Sequence, residues 1–134
     1  MAISDLNRAI EINPRYYEAY NYRGLAYYNK GEYNRAILDY NKAIELNPRS
    51  SSAYYYRGLA YYDKGEYDRA ILDYNKVIEF NPKYAYAYND RGVVYYHKGE
   101  YDKAWEDVNK ADSLGYKAPP EFLKDLREAS GRDE

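Results

Sequence analysis

Residues 17–50 read YEAYNYRGLAYYNKGEYNRAILDYNKAIELNPRS. Residues 51–84 read SSAYYYRGLAYYDKGEYDRAILDYNKVIEFNPKY, and residues 85–118 read AYAYNDRGVVYYHKGEYDKAWEDVNKADSLGYKA. Aligned, the three stretches keep a step of 34 residues. Arg23-Gly24, Arg57-Gly58 and Arg91-Gly92 recur at that step, as do Gly31, Gly65 and Gly99, and Ala36, Ala70 and Ala104. Asn13-Pro14, Asn47-Pro48 and Asn81-Pro82 keep the same phase one turn ahead of each copy. An invariant period of this length marks a repeat architecture, in which each unit buries its apolar face against its neighbours.

Each repeat reads as two helices. The first ends at Lys-Gly-Glu-Tyr, where glycine supplies the left-handed conformation that closes a helix. In the first repeat the second helix is predicted over Tyr33 to Leu46. It stops at Asn-Pro, because the residue before proline is pushed out of the α region. In the middle repeat Tyr54, Gly58 and Tyr61 share one face of the first helix, and Ala70, Tyr74 and Val77 share one face of the second. Small residues at Gly58 and Ala70 let the two backbones approach, with rings filling the space beside them.

The spacing resembles the tetratricopeptide repeat signature W-x2-L-G-x2-Y, then A-x3-F, then P. In the first repeat it reads Tyr20, Arg23, Gly24, Tyr27, Ala36, Tyr40 and Pro48. In the second it reads Tyr54, Arg57, Gly58, Tyr61, Ala70, Tyr74 and Pro82. In the third it reads Tyr88, Arg91, Gly92, Tyr95, Ala104 and Val108, with Tyr116 where proline belongs. The resemblance implies an all-α fold, a right-handed α-solenoid of antiparallel helix pairs with about eight helices. The expected organisation is a lone second helix over 1–14, repeats over 17–50, 51–84 and 85–118, a capping helix over 119–130, and a tail over 131–134.

Two departures from the signature carry information. Tyrosine replaces Trp and Phe with little change in volume. Arginine replaces Leu in every repeat, on a surface where an unpaired charge would be costly to bury. Asp39, Asp73 and Asp107 recur at the same step on the second helices, and Asp5 falls on the same ladder. Arg–Asp pairs across each helix pair are therefore expected. The alternative is that the arginines extend their heads to water along packed stems.

At the beginning, Ala2 falls in register with Ala36, so the first helix has no partner before it. Its apolar stripe, Ile3, Leu6 and Ile10 with Ala9, is expected to be uncovered and able to join a second copy. At the other end, Pro119-Pro120 opens a helix whose stripe is expected to be Phe122, Leu126 and Ala129, with a polar exterior that closes the stack. Starting in mid-repeat suggests a fragment of a longer array.

In the family resembled here, the first helices line a concave face. The implied lining is Asn21, Tyr22, Leu25, Tyr28 and Asn29, with Glu18, in the first repeat. In the second it is Tyr55, Tyr56, Leu59, Tyr62 and Asp63, with Ser52. In the third it is Tyr86, Asn89, Asp90, Val93, Tyr96 and His97. Tyrosine is favoured at binding hot spots because it gives rigid area and a hydroxyl. The implied ligand is another protein's extended segment or short helix, neutral to basic because Glu18, Asp63 and Asp90 make the face mildly acidic. Relatives that clamp acidic chaperone tails use Lys and Asn, then Asn, then Lys and Arg. The matching positions here are Asn21 and Leu25, Tyr56, and Tyr86 and Asp90. No cation remains there, so such tails are expected not to bind.

Composition narrows the classes further. The chain has 134 residues, no cysteine and a net charge of −2. Cysteine-based disulfides, nucleophiles and metal sites are excluded. The charge offers no basic footprint for nucleic acid or an anionic membrane. No apolar run nears the roughly 20 residues of a membrane span, and no signal peptide is visible. A cytoplasmic location is the favoured expectation. The single histidine, His97, lacks a second ligand at metal spacing, and Ser50, Ser51 and Ser52 sit where serine ordinarily starts a helix. No enzymatic activity, no metal and no cofactor are expected.

Overall fold

A computed structural model describes residues 2–134, and Met1, the first residue of the expected 1–14 segment, lies outside the described residues. Eight helices follow one another and no strand occurs among the described residues: α1 (Ile3–Ile12), α2 (Tyr17–Asn29), α3 (Tyr33–Leu46), α4 (Ser51–Asp63), α5 (Tyr67–Phe80), α6 (Ala85–His97), α7 (Tyr101–Ser113) and α8 (Pro120–Ser130). They group into two compact units, one running to Asp73 and one beginning at Tyr74.

The helix ends follow local chemistry. Gly31, Gly65 and Gly99 sit at φ of 77°, 78° and 79°, the left-handed region that ends α2, α4 and α6. Across each Asn-Pro stop the asparagine side chain accepts the backbone N–H two residues on, at Arg15, Arg49 and Lys83. This local bond gives the chain a turn in place of another helical residue. Ser50 caps α4 by accepting the Ala53 N–H.

In the first compact unit, α2 packs on α3, α3 on α4 and α1 on α2. Tyr20, Ala43 and Ala53 form one buried cluster, with Ile10, Tyr17, Ile44 and Leu46 against it. Gly24 is required by a close approach: a Cβ there would lie 2.7 Å from the Tyr40 ring. The Tyr20 hydroxyl donates to the Pro14 carbonyl, and in the second unit Tyr88 does the same to Pro82. Tyrosine in place of Trp therefore adds a bond to the preceding turn.

The arginines are paired. In the first unit Arg23 donates Nε and Nη2 to the two carboxylate oxygens of Asp39 at 2.8 and 2.6 Å. Arg57 holds Asp73 in the same way. In the second unit Arg91 holds Asp107 at 2.8 and 2.7 Å. Each guanidinium also spends Nη1 on an asparagine of the preceding second helix: Asn7, Asn41 and Asn75, all at 2.8 Å. The guanidinium groups lie over Tyr20, Tyr54 and Tyr88 as cation–π contacts. The bond to Asp39 raises Arg23 above its ordinary value. Burial pushes the Asp73 and Asp107 carboxyls up, against the pull of their arginines.

Two expectations at the ends are corrected. The α1 stripe is not bare: Leu6 is 2% exposed, Ile3 and Ile10 are half-buried, and Ile10 packs on the Tyr20 cluster. A second helix has two packing faces, and this stripe is the one that meets the next first helix. Leu6 is thus taken up within the chain and is not uncovered as expected, while Ile3 and Ile10 keep partial exposure.

In the second unit, Leu126 is buried against Ala104, Trp105, Val108 and Ala118, with Phe122 and Leu123 alongside. Ala129 is exposed, and Leu123 packs beside Leu126 on the α7 cluster in its stead. The tail is also tied back: Arg132 Nη1 pairs with Asp102 at 2.6 Å.

Candidate peptide-binding face

The lining expected from sequence is carried by α2 and α4 in the first unit and by α6 in the second. On α2, Tyr22 is 52% exposed, Glu18 and Asn29 are exposed, and Leu25 and Tyr28 are half-buried. On α4, Ser52 and Asp63 are exposed, while Tyr55, Tyr56, Leu59 and Tyr62 are half-buried. The two helices are joined by one short bond, from the Tyr28 hydroxyl to Asp63 Oδ2 at 2.6 Å. A hydroxyl on an ionised acceptor at this distance is a strong, charge-assisted bond. It fixes the Tyr28 ring and leaves a carboxylate at the surface.

The tyrosines act as supports as well as surface. Tyr56 stacks on the buried Tyr40 at 6.3 Å, and Tyr55 meets Tyr56 edge to face at 5.4 Å. Tyr28 leans on Tyr33 and Tyr62 on Tyr67. These partners open the second helix of each repeat. The signal for them was present in the sequence as a further 34-residue tyrosine ladder, Tyr33, Tyr67 and Tyr101. Asn21 donates Nδ2 to Ser50 Oγ at 3.4 Å, while its Oδ1 is buried with no hydrogen-bond partner among the described residues.

In the second unit, Tyr86 is 50% exposed and lies 4.9 Å from Tyr116 and 5.6 Å from Tyr84. Tyr116 was legible only as a missing proline, yet its ring widens this aromatic surface. Asp90 and Val93 are half-buried, and His97 is exposed with its ring edge-on to Tyr96 at 5.1 Å. Two expected lining residues turn inward. Asn89 is only 5% exposed, with Nδ2 directed to Asp90. Tyr96 packs edge to face on Phe122 at 5.5 Å and belongs to the α7–α8 core. Tyr96 is half-buried like Tyr28 and Tyr62, and α8 gives it a further ring contact through Phe122.

Among the described residues, no three His, Asp or Glu side chains are grouped to hold a metal ion, and no helix is long and apolar enough to cross a membrane. In each unit the expected lining is made of rings, short polar groups and carboxylates.

Comparison with known proteins agrees with this architecture. The TPR repeat profile matches residues 1–31, 26–65 and 58–99, and the tetratricopeptide repeat profile matches residues 85–114. No curated protein sequence matches. Among solved structures, the crystal structure of MamA is similar with 30% identity and a TM-score of 0.85, covering 98% of this chain and 78% of that one. The first TPR of Spaghetti (RPAP3), bound to the HSP90 peptide SRMEEVD, is similar with 24% identity and a TM-score of 0.78, covering 86% of this chain and 90% of that one. At that identity the second likeness concerns the fold.

Proposed function

The chain belongs to the tetratricopeptide repeat family, all-α interaction scaffolds and not enzymes, and from that premise we propose that α2 and α4 bind a neutral-to-basic peptide segment of another protein. In this proposal the modules are taken as 17–50, 51–84 and 85–118, with 1–14 and 119–130 flanking them. The observation that supports the reading most directly is the Tyr28–Asp63 bond between α2 and α4. It holds an exposed carboxylate against a tyrosine ring, which suits a segment carrying a basic side chain. Leu25 and Leu59 supply the anchor surface, and Tyr55, Tyr56 and Tyr62 supply flat, preorganised area with little rotamer entropy to lose. Tyr86, Asp90, Val93 and His97 on α6 offer the same chemistry in the second unit.

An acidic chaperone tail, of the kind held by the RPAP3 domain, is not the proposed ligand. Asn21, Leu25, Tyr56, Tyr86 and Asp90 provide no cation for a terminal carboxylate, and Asp90 repels it.

Titration calorimetry with basic, neutral and acidic peptides of matched apolar content tests the reading. Basic and neutral peptides bind, and Tyr22→Ala or Asp63→Asn weakens the basic ones severalfold with the helical spectrum unchanged. Equal affinity for the acidic SRMEEVD peptide, or indifference to both substitutions, refutes it.

A further inference from the structure

In the second unit Arg91 lies over the rings of Tyr88 and Tyr95, 5.6 and 5.9 Å from their centroids, and donates to both oxygens of Asp107. In the first unit Arg57 is held in the same way by Tyr54, Tyr61 and Asp73. Tyrosine faces and one carboxylate are thus what this chain uses to hold a guanidinium.

A similar set stands at the surface of the second unit. Tyr86, near the start of α6, is 50% exposed. Its ring meets Tyr116 at 4.9 Å, tilted by 53°, and Tyr84 at 5.6 Å, tilted by 59°. Tilts of this size make the three rings a corner and not a stack. Both flanking rings sit on hydrogen-bonded turns: the Tyr84 N–H donates to the Asn81 carbonyl and the Tyr116 N–H to the Ala111 carbonyl. Among the described residues no cation of this chain lies over the Tyr86 ring. Asp90 stands one turn further along α6 and is half-buried. A helical side chain leans toward the N-terminus, which carries the Asp90 carboxylate over the turn that bears Tyr86. Asn89 donates Nδ2 to Asp90 Oδ1 at 3.4 Å.

We propose that Tyr84, Tyr86, Tyr116 and Asp90 receive an arginine side chain of the bound peptide, with the guanidinium laid on the Tyr86 face and hydrogen-bonded to Asp90. This rests on the peptide-binding reading above and names the residue that α6 selects. Arginine is favoured over lysine. A guanidinium is planar and weakly hydrated, and it matches ring faces and a carboxylate at once. Lys83 and Lys117 are exposed next to Tyr84 and Tyr116 in the chain. Their repulsion weighs more on a compact ammonium, which has no flat face to lay on the rings.

The probe is N-acetyl-arginine methylamide, titrated into the full chain carrying isotope-labelled tyrosine rings and followed by NMR. Saturable shifts of the Tyr86 and Tyr116 ring signals are expected. The citrulline counterpart, neutral and of nearly the same shape, shifts neither, and the lysine counterpart binds severalfold more weakly. Tyr86→Ala and Asp90→Asn each weaken the arginine probe about fivefold, the scale of one exposed cation–π contact. Tyr86→Phe retains binding, because the ring face remains, and circular dichroism checks that each variant is folded. Equal shifts with citrulline, or unchanged affinity in Tyr86→Ala, overturn the inference. Shifts confined to Tyr22, Tyr55, Tyr56 and Tyr62 overturn it while leaving the α2–α4 reading in place. No shift at any tyrosine also overturns it, and calorimetry with basic peptides then decides the α2–α4 reading separately. Larger Tyr86 shifts with adenosine monophosphate than with the arginine probe would assign the rings to base stacking and overturn it too.

Discussion

Arg57 grips Asp73 through two parallel hydrogen bonds, Nε at 2.9 Å and Nη2 at 2.7 Å, and the guanidinium is a fifth exposed while the carboxylate is nearly enclosed. Fork-on-carboxylate geometry of this kind is the strong form of an ion pair. Its value depends on which partner is removed. Asp73→Ala strands a guanidinium among tyrosine rings and is expected to cost about 3 kcal/mol, the lower end for breaking a buried pair, because Arg57 keeps some access to water. Exchanging Arg57 and Asp73 together for Leu returns most of that loss. Urea unfolding of the two single variants and the double variant measures the coupling.

Tyr40 carries a fully buried ring whose hydroxyl has no hydrogen-bond partner among the described residues. An unmet buried hydroxyl costs roughly 1 kcal/mol or more. Tyr40→Phe is expected to stabilise the chain by about 1 kcal/mol. A lower midpoint in urea would show that the hydroxyl is held.

The same residue sets an alkaline limit. Burial, with Tyr56 as a secondary cause, raises the Tyr40 phenol above its ordinary 10.0. The folded state keeps the proton while the unfolded state loses it, so this contribution is whole below pH 10 and declines above it. The slope is about 1.4 kcal/mol per pH unit for one such group. Tyr40→Phe flattens stability against pH between 10 and 11 by that amount.

Gly24 and Gly31 differ in what an added methyl would meet. At Gly24 it collides with the Tyr40 ring, and at Gly31 it meets open space but a φ of +77°. Gly24→Ala is expected to cost about 2 kcal/mol by overpacking. Gly31→Ala costs about 1 kcal/mol by backbone strain alone. Thermal melts of the two variants rank them in that order.

Binding of a basic peptide to the α2–α4 face is expected to weaken as salt rises, since Asp63 and Glu18 are exposed and screened. Raising salt from 0.05 to 0.5 M lowers the affinity severalfold, and Asp63→Asn removes part of that dependence.

Periodicity made the fold legible. Gly31, Pro48 and their counterparts act through local backbone preferences, so helix ends could be read directly. The Arg–Asp pairs were legible because both partners keep the same period; the asparagines that complete them keep it too, but their role emerged only from the structure. Packing direction was not. Ile3, Leu6 and Ile10 look like a spare stripe, because sequence does not say which of two apolar faces meets the following helix. Ala129 misled because α8 lies outside the repeat, so the period does not say which of its faces is covered.

Each guanidinium also bonds an asparagine of the helix before its own repeat, as Arg91 does with Asn75. In a nearest-neighbour description of a repeat chain, stability separates into an intrinsic part for each unit and a coupling between adjacent units. The aspartate bonds belong to the first and the asparagine bond to the second. One side chain therefore writes into both, and exchanging Asn for Ala along that ladder would tune how sharply the chain unfolds while leaving each helix pair intact.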